Sequence, residues 1–432
     1  GDQKKLSTWQ EGGAFIAFDS HRPPVIQTWD MRGNLAYFLS NVRRGSFRDS
    51  DLATSANNIW TDAAVVDAHA HVSWTYDFFF KRFGRSGLDG RNGPINIVVN
   101  ALTQQGALID LNEAVNAYWN QSAFGGQGVM VFGSGAPGIP INGRNYTYFS
   151  GALDIAAHEL THGVTSNTSK LIYAGESGAL NEAFSDMMGK SVEFFYHSPG
   201  SGVGQADYTI GKDISRAMLP GVLNGDRSMA NPALYGHPDH YSRYWRTTQD
   251  NGGVHTNSGI PNQAFYLAIE GGTNRTSGMT VQGVGATNRD QIEKVFFRAF
   301  TTLLPPNATF ATARAATIQA SRDLYGSGGS VERAITQAWD AVGVLNVVSL
   351  QTYTSTLGYT GRDRLVYYPV DMTATGRYQA VLNWTDPSID LDLMIARPGC
   401  DSWDCMLTRA QSATARPETI CLDVRTGERY WV

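Results

Sequence analysis

Residues 158–162 read His158-Glu159-Leu160-Thr161-His162. On a helix, residues four apart share a face, so both imidazoles can reach one ion. A catalytic zinc takes three protein ligands and keeps one position for water. Glu159 lies one step round the helix, where its carboxylate can touch that water without being a ligand. Leu153, Ile155, Ala156 and Ala157 give the segment an apolar face to bury. A second helical stretch follows a Gly-containing link: Gly178-Ala-Leu-Asn181-Glu182-Ala-Phe-Ser-Asp186. Glu182 is the candidate third ligand. Asp186, four residues on, can orient a ligand imidazole through its free N–H. The competing reading is a pair of solvated helices with ordinary His and Glu faces, and the order of the two motifs argues against it.

Outward from this centre the chain changes character. Residues 1–66 are polar, aromatic and Gly-containing, and read as small strands and loops. The run from Asp67 predicts a helix stopped by Gly84. Strands are expected at Ile95–Asn100, Val115–Trp119 and Val129–Phe132. Most of Ser122–Asn145 reads as surface loop. Helices are expected at 152–165, 178–197, 258–271, 288–303, 309–325 and 329–342. From about Asn346 alternating β-type runs take over, at Leu365–Val370, Tyr378–Trp384 and Leu391–Ile395. The expected organisation is α+β: a β-rich lobe over 1–150, a helical lobe over 151–345, and a small all-β, sandwich-like domain over 346–432.

At 432 residues the chain is too long for one core, and 42% hydrophobic residues excludes wholesale disorder. A net charge of −5 argues against nucleic acid or an anionic membrane as the main partner. No apolar run is long enough to span a bilayer. No charged-then-apolar leader opens the chain, so any signal or pro-segment is expected to have been removed. All three cysteines, Cys400, Cys405 and Cys421, lie near the C-terminus. Their spacing favours one disulfide with a leftover thiol over a zinc site, which points to an oxidising compartment.

The motifs are embedded in longer segments: Gly163-Val-Thr165, Ala174-Gly-Glu-Ser-Gly178, Asp226-Arg-Ser-Met229, Tyr235-Gly-His-Pro-Asp-His-Tyr241 and Asp250-Asn-Gly-Gly-Val-His255-Thr-Asn-Ser-Gly259. Upstream stand Gly1-Asp-Gln-Lys4, Val66-Asp-Ala-His69 and Asn116-Ala-Tyr-Trp-Asn120. Together these resemble the thermolysin family of zinc metalloendopeptidases, the gluzincins, from Gly1 to about Val344. The resemblance implies a two-lobed, secreted, monomeric endopeptidase acting on peptides or proteins. It implies one zinc on His158, His162 and Glu182, with Glu159 as the base that activates water. Tyr173 and His255 would stabilise the oxyanion, with Asp250 holding His255. Arg227 would bind a substrate carbonyl on the primed side. Asn116 and Ala117 would line the edge strand that the peptide joins, and Asn181 and Asp186 would support the ligands. Phe149, Ile155, Ile210 and Ile214 match the primed-side selectivity pocket. All four are apolar, which implies cleavage on the N-terminal side of bulky hydrophobic residues. Asp226 stands where the family tends to have an apolar residue. A catalytically silent binding protein of the same fold is the rival reading.

The resemblance also implies one structural calcium, at Asp154, Glu193, Asp207 and the carbonyl of Thr209. Lys212 replaces a further carboxylate, and Lys190 adds a cation to the same helix as Glu193. The stretch holding Gly125–Gly128 and Ala136–Pro140 looks longer than usual and reads as a passive insertion. Asp67-Ala-His69-Ala-His71 mimics the metal pair of an amidohydrolase barrel, but no βα repeat follows it, so His69 reads as structural. His237 and His240 read as loop hydrogen-bonders. The tail resembles, more weakly, bacterial pre-peptidase C-terminal domains through Asp386, Asp390-Leu-Asp392-Leu393 and Gly427-Glu-Arg-Tyr-Trp431.

Overall fold

Asp62 caps the long helix α1 (Ala63–Phe83) by accepting the Val65 N–H, and the chain leaves the helix through Gly84 at φ 67°. A glycine there ends the helix without the clash that a Cβ meets in the left-handed region. The helix starts ahead of the expected Asp67 because Asp62 supplies the cap. The computed structural model describes residues 3–42, 44–345, 366–372, 376–382, 391–400, 406–410, 418–424 and 427–432. They fall into two units, Gly1–Val344 and Leu345–Val432.

In the first unit, α1 packs on a five-stranded sheet. Its strands are β1 (Phe18–Asp19), β2 (Ile26–Asp30), β3 (Ile95–Val99), β4 (Ala117–Asn120) and β5 (Val129–Phe132), in spatial order β1-β2-β3-β5-β4. β2, β3 and β5 run parallel, and β4 pairs antiparallel with β5 at the edge. Every residue of β3 is buried, as a parallel strand covered on both faces requires. Ile95, Ile97, Val99, Met130 and Phe132 face the larger core, whereas Val98, Val129 and Val131 join Trp29 and Phe38 on the other side. Asp110 caps a one-turn helix at Leu111–Ala114, so the edge strand begins at Ala117 and not at the expected Val115. Ala123 is buried and Phe124 packs on Trp29 with ring centroids 5.0 Å apart. The stretch that follows β4 is therefore anchored at its start.

The long helices of the helical part are α2 (Leu153–Ser166), α3 (Gly175–Tyr196), α4 (Gly259–Glu270), α5 (Arg289–Arg298), α6 (Phe310–Tyr325) and α7 (Ser330–Ala341). The longest of these, α3, is buried without interruption from Ser177 to Glu193. A helix covered all round sits at the centre of its lobe. Leu153, Ala156, Ala157, Leu160 and Val164 of α2 share one core with Leu180, Ala183, Phe184 and Met187 of α3. Each large apolar side chain buried there contributes about 1.5–3 kcal/mol. Gly189 sets their separation, because a Cβ on it would lie 2.6 Å from the Asp154 carbonyl oxygen.

The second unit has a four-stranded and a two-stranded sheet. Val370, Ala380, Leu393, Ile395, Ile420 and Tyr430 are buried among its core residues. Cys400 is disulfide-bonded. The other cysteine side chains, Asp386 and Asp390 lie outside the described residues.

Candidate active site

α2 and α3 bring His158, His162 and Glu182 together, with one ligand atom from each lying within 4.8 Å of the others. The two imidazoles are aimed by their outer nitrogens. His158 Nδ1 lies 2.9 Å from Asp186 Oδ1, and His162 Nδ1 lies 2.9 Å from Asn181 Oδ1. A carboxylate and an amide oxygen only accept, so each Nδ1 carries a proton, and each Nε2 offers a lone pair whenever its ring is neutral. The two Nε2 atoms are 3.1 Å apart, and each is 3.5 Å from a Glu182 oxygen. Facing acceptors repel unless a cation lies between them. Ligand bonds of about 2.0–2.1 Å in a tetrahedral zinc site put two nitrogens about 3.3 Å apart. Glu182 Oε2 is buried without a hydrogen-bond partner. On donor chemistry and spacing, these residues fit zinc.

Charge in the site is balanced by groups further out. Burial works against ionisation of Glu182, but His255, His158 and His162 outweigh it and hold the carboxyl well below its ordinary range. Burial alone would lower His158, yet Asp186 and Glu182 push its pKa up to about 10. A cation entering the site therefore competes with a proton there. Asp186 is itself held by Arg227, whose Nε and Nη2 donate at 2.9 and 2.7 Å, and by the Asn262 amide at 2.8 Å. The Asn262 contact spans 76 residues of sequence, and no local motif signals it.

Across from α2, the Tyr173 hydroxyl donates to Glu182 and lies 3.2 Å from His255 Nε2. Asp250 accepts from the His255 backbone N–H at 2.9 Å and binds its Nδ1 at 2.7 Å. This clamp rests on a left-handed run, with φ of 50° at Asp250, 51° at Asn251, 91° at Gly252 and 74° at Gly253. Glycines take such angles freely, but Asp250 and Asn251 each carry strain of about 1–2 kcal/mol. Glu159 follows His158 on α2 and is buried. Its charge adds to burial and Glu182 in raising Tyr173.

Phe149, Ile155, Ile210 and Ile214 are all buried in the core that holds α2. Asp226 adjoins them. Its N–H donates to the Ile210 carbonyl at 2.9 Å, and its Oδ1 accepts from Tyr146 at 2.6 Å and Ser215 at 3.0 Å. A Cβ on Gly211 would stand 3.1 Å from Asp226 Oδ2 and 3.6 Å from Ile155 Cδ1. The carboxylate thus borders the apolar patch, and burial raises its pKa. Ala117 begins β4, and the carbonyl of the exposed Asn116 accepts the Gly133 N–H at 2.8 Å.

Residues 1–166 match the family model for the thermolysin metallopeptidase catalytic domain, and residues 169–344 match the model for the alpha-helical domain of the same family. The chain belongs to the thermolysin family of metallopeptidases. It is 38% identical over 346 residues to a bacillolysin of Brevibacillus brevis. It is 40% identical over 349 residues to a thermolysin of Alicyclobacillus acidocaldarius subsp. acidocaldarius. In each case the match covers 80% of this chain and 56% of the relative, so the chain spans just over half the length of these proteins. A solved structure of the precursor of protealysin, a metalloproteinase from Serratia proteamaculans, aligns with TM-score 0.56 at 27% identity, over 79% of this chain and 91% of that one.

Elsewhere in this thermolysin-family chain, two sets of residues differ from, or settle, the reading of the sequence. Asp154, Glu193 and the Thr209 carbonyl do converge, but on the Lys190 ammonium. Asp207 Oδ1 accepts the Thr209 N–H at 2.7 Å. That donor set does not fit the expected calcium ion. His69 is buried between Thr28 Oγ1 and the Ser7 carbonyl, and His71 against the Ser150 carbonyl. Burial lowers both to about 4, so both are neutral structural residues. No helix among the described residues is long and apolar enough to cross a membrane.

Proposed function

We propose that this chain is a secreted endopeptidase that hydrolyses peptide bonds with zinc held by His158, His162 and Glu182. The observation that supports it most is the convergence of two imidazole Nε2 atoms on a buried carboxylate with an unpartnered oxygen. Zinc, when bound, supplies a Lewis acid that brings the pKa of water to about 7 and polarises the scissile carbonyl. Glu159 takes the proton from water and passes it to the leaving amine. Tyr173 and His255 donate to the oxygen on which charge develops, and donors of this kind are worth about 3–4 kcal/mol each. Asp250 fixes the His255 ring. Asp186 holds His158 on one side and Arg227 on the other, so the zinc helix and the primed side share one anchor. The Cys400 disulfide supports an oxidising, extracytoplasmic location.

The substrate joins the free edge of β4 beside Asn116 and Ala117, as extended peptides add to exposed sheet edges. Its residue after the cut enters the patch of Phe149, Ile155, Ile210 and Ile214. Burial of a Leu or Phe side chain there gains roughly 2 kcal/mol, on the order of thirtyfold in rate. Asp226 trims the pocket and raises the share of smaller Val and Ile over Phe. Digestion of an unstructured protein, with the new N-termini sequenced, checks this. Cuts are expected before Leu, Ile, Val and Phe, and all cleavage should stop with a zinc chelator and return with zinc. Cuts mainly before charged residues or Gly would show the pocket to be wrongly assigned. Peptide binding without any cleavage by the zinc-replete chain would favour the silent binding protein.

A further inference from the structure

The carboxylates that gather below the zinc helix are already matched with internal cations. Lys190 is fully buried on α3. Its ammonium donates to Asp154 Oδ2 at 3.2 Å and to the Thr209 carbonyl at 2.9 Å, and it is paired with Glu193. An ammonium has three donors, and these partners use all of them. Lys212 comes in from the other side. It donates to Glu193 Oε1 at 2.9 Å and to the Gln205 carbonyl, and lies 3.9 Å from Asp213. Asp154 is completed by the Gly211 N–H on Oδ2 and the Ile155 N–H on Oδ1, both at 2.9 Å.

Calcium needs six to eight oxygens at about 2.3–2.6 Å from one point. Here the point that the oxygens share is taken by Lys190 Nζ. Two ammonium groups carry the same charge as one divalent cation. We propose that Lys190 and Lys212 serve as built-in counter-cations in place of a structural calcium, so that this part of the fold holds together without the ion. The position gives the exchange a purpose. Asp154 lies in the first turn of α2, one turn ahead of His158, and Lys190 follows Gly189, where α2 and α3 approach too closely to admit a Cβ. The Asp154–Lys190 pair therefore ties together the two helices that carry the three candidate ligands. Burial works to lower the pKa of Lys190, but Asp154 and Glu193 outweigh it, and the charge is retained.

Thermal unfolding of the zinc-loaded chain tests this, in zinc-buffered solution with either a calcium chelator or millimolar calcium chloride. The Glu159→Gln background suppresses self-digestion, and zinc content is measured alongside. The melting temperature is expected to be the same in both within about 1 °C. Lys190→Ala removes one cation and leaves Asp154 buried without its charge partner. With Lys212 still on Glu193, the loss falls mainly on Asp154, and the variant is expected to melt roughly 5–10 °C lower. A fall in melting temperature on calcium chelation, with zinc still bound, overturns the proposal. So does a Lys190→Ala chain that melts like its parent. Should that variant fail to fold, the parent's response to calcium decides alone.

Discussion

Glu159→Gln is expected to retain one zinc per chain and lose about a thousandfold in kcat, within the range that a positioned general base supplies. The amide matches the carboxylate in size and can still hydrogen-bond to water, but it cannot take a proton. Glu159 stands on α2 between His158 and His162, while their outer nitrogens are fixed by Asp186 and Asn181. Nothing in that framework depends on the Glu159 charge, so the ligand set should survive the change. Metal analysis of the dialysed protein and turnover of an internally quenched peptide together check it. Activity within tenfold of the parent would sink the assignment of the base. Loss of zinc would mean that Glu159 belongs to the ligand set.

Glu182→Ala should abolish zinc retention and activity together. Glu182 is almost wholly buried, its Oε2 has no hydrogen-bond partner, and its other oxygen is 3.5 Å from both His162 and His255. Without it, the two Nε2 atoms face each other with no carboxylate oxygen beside them. A direct ligand should cost more than the about 10–100-fold in metal affinity typical of an outer partner. Asp186→Asn supplies the comparison. It keeps the shape but lowers the charge that His158 and Arg227 both face, so its zinc affinity should fall by about 10–100-fold. Competition against a chelator of known affinity measures both. If Asp186→Asn loses zinc more readily than Glu182→Ala, ligand and support have been assigned the wrong way round.

The cluster of His158, His162 and Glu182 was legible in the sequence because helical spacing sets the two halves that α2 and α3 bring together. His158 and His162 are one turn apart, and so are Glu182 and Asp186. The long helices were legible for the same reason, with ends displaced by up to five residues, as at α1, where the Asp62 cap decides the boundary, and at α5, where a π-helical turn takes over after Arg298. Strand β2 (Ile26–Asp30) was not, because a five-residue strand in a polar, aromatic stretch carries little periodicity. Nor was the left-handed run before His255, where residue types allow the conformation but do not compel it. The lysine cluster shows a different limit. The sequence placed the carboxylates together and showed Lys190 on the same helix, yet a long side chain does not reveal where its tip will settle. Asn262 joined the site only through tertiary packing, as did the turning of Arg227 onto Asp186.

Strand β4 pairs on one side only, with β5, and its outer edge has no strand partner among the described residues. A substrate that docks by completing this sheet must first be straight, and a helix or a closed turn offers the edge nothing to bond. The gate on the proposed digestion would then be mechanical before it is chemical. In a folded target, a cut would require several consecutive residues to come free at once, so the cutting rate would follow how often that stretch opens. Two targets with identical preferred sites would be consumed at rates that differ by their local opening equilibria. Loose or damaged chains would disappear from a mixture while sound ones of the same sequence persist.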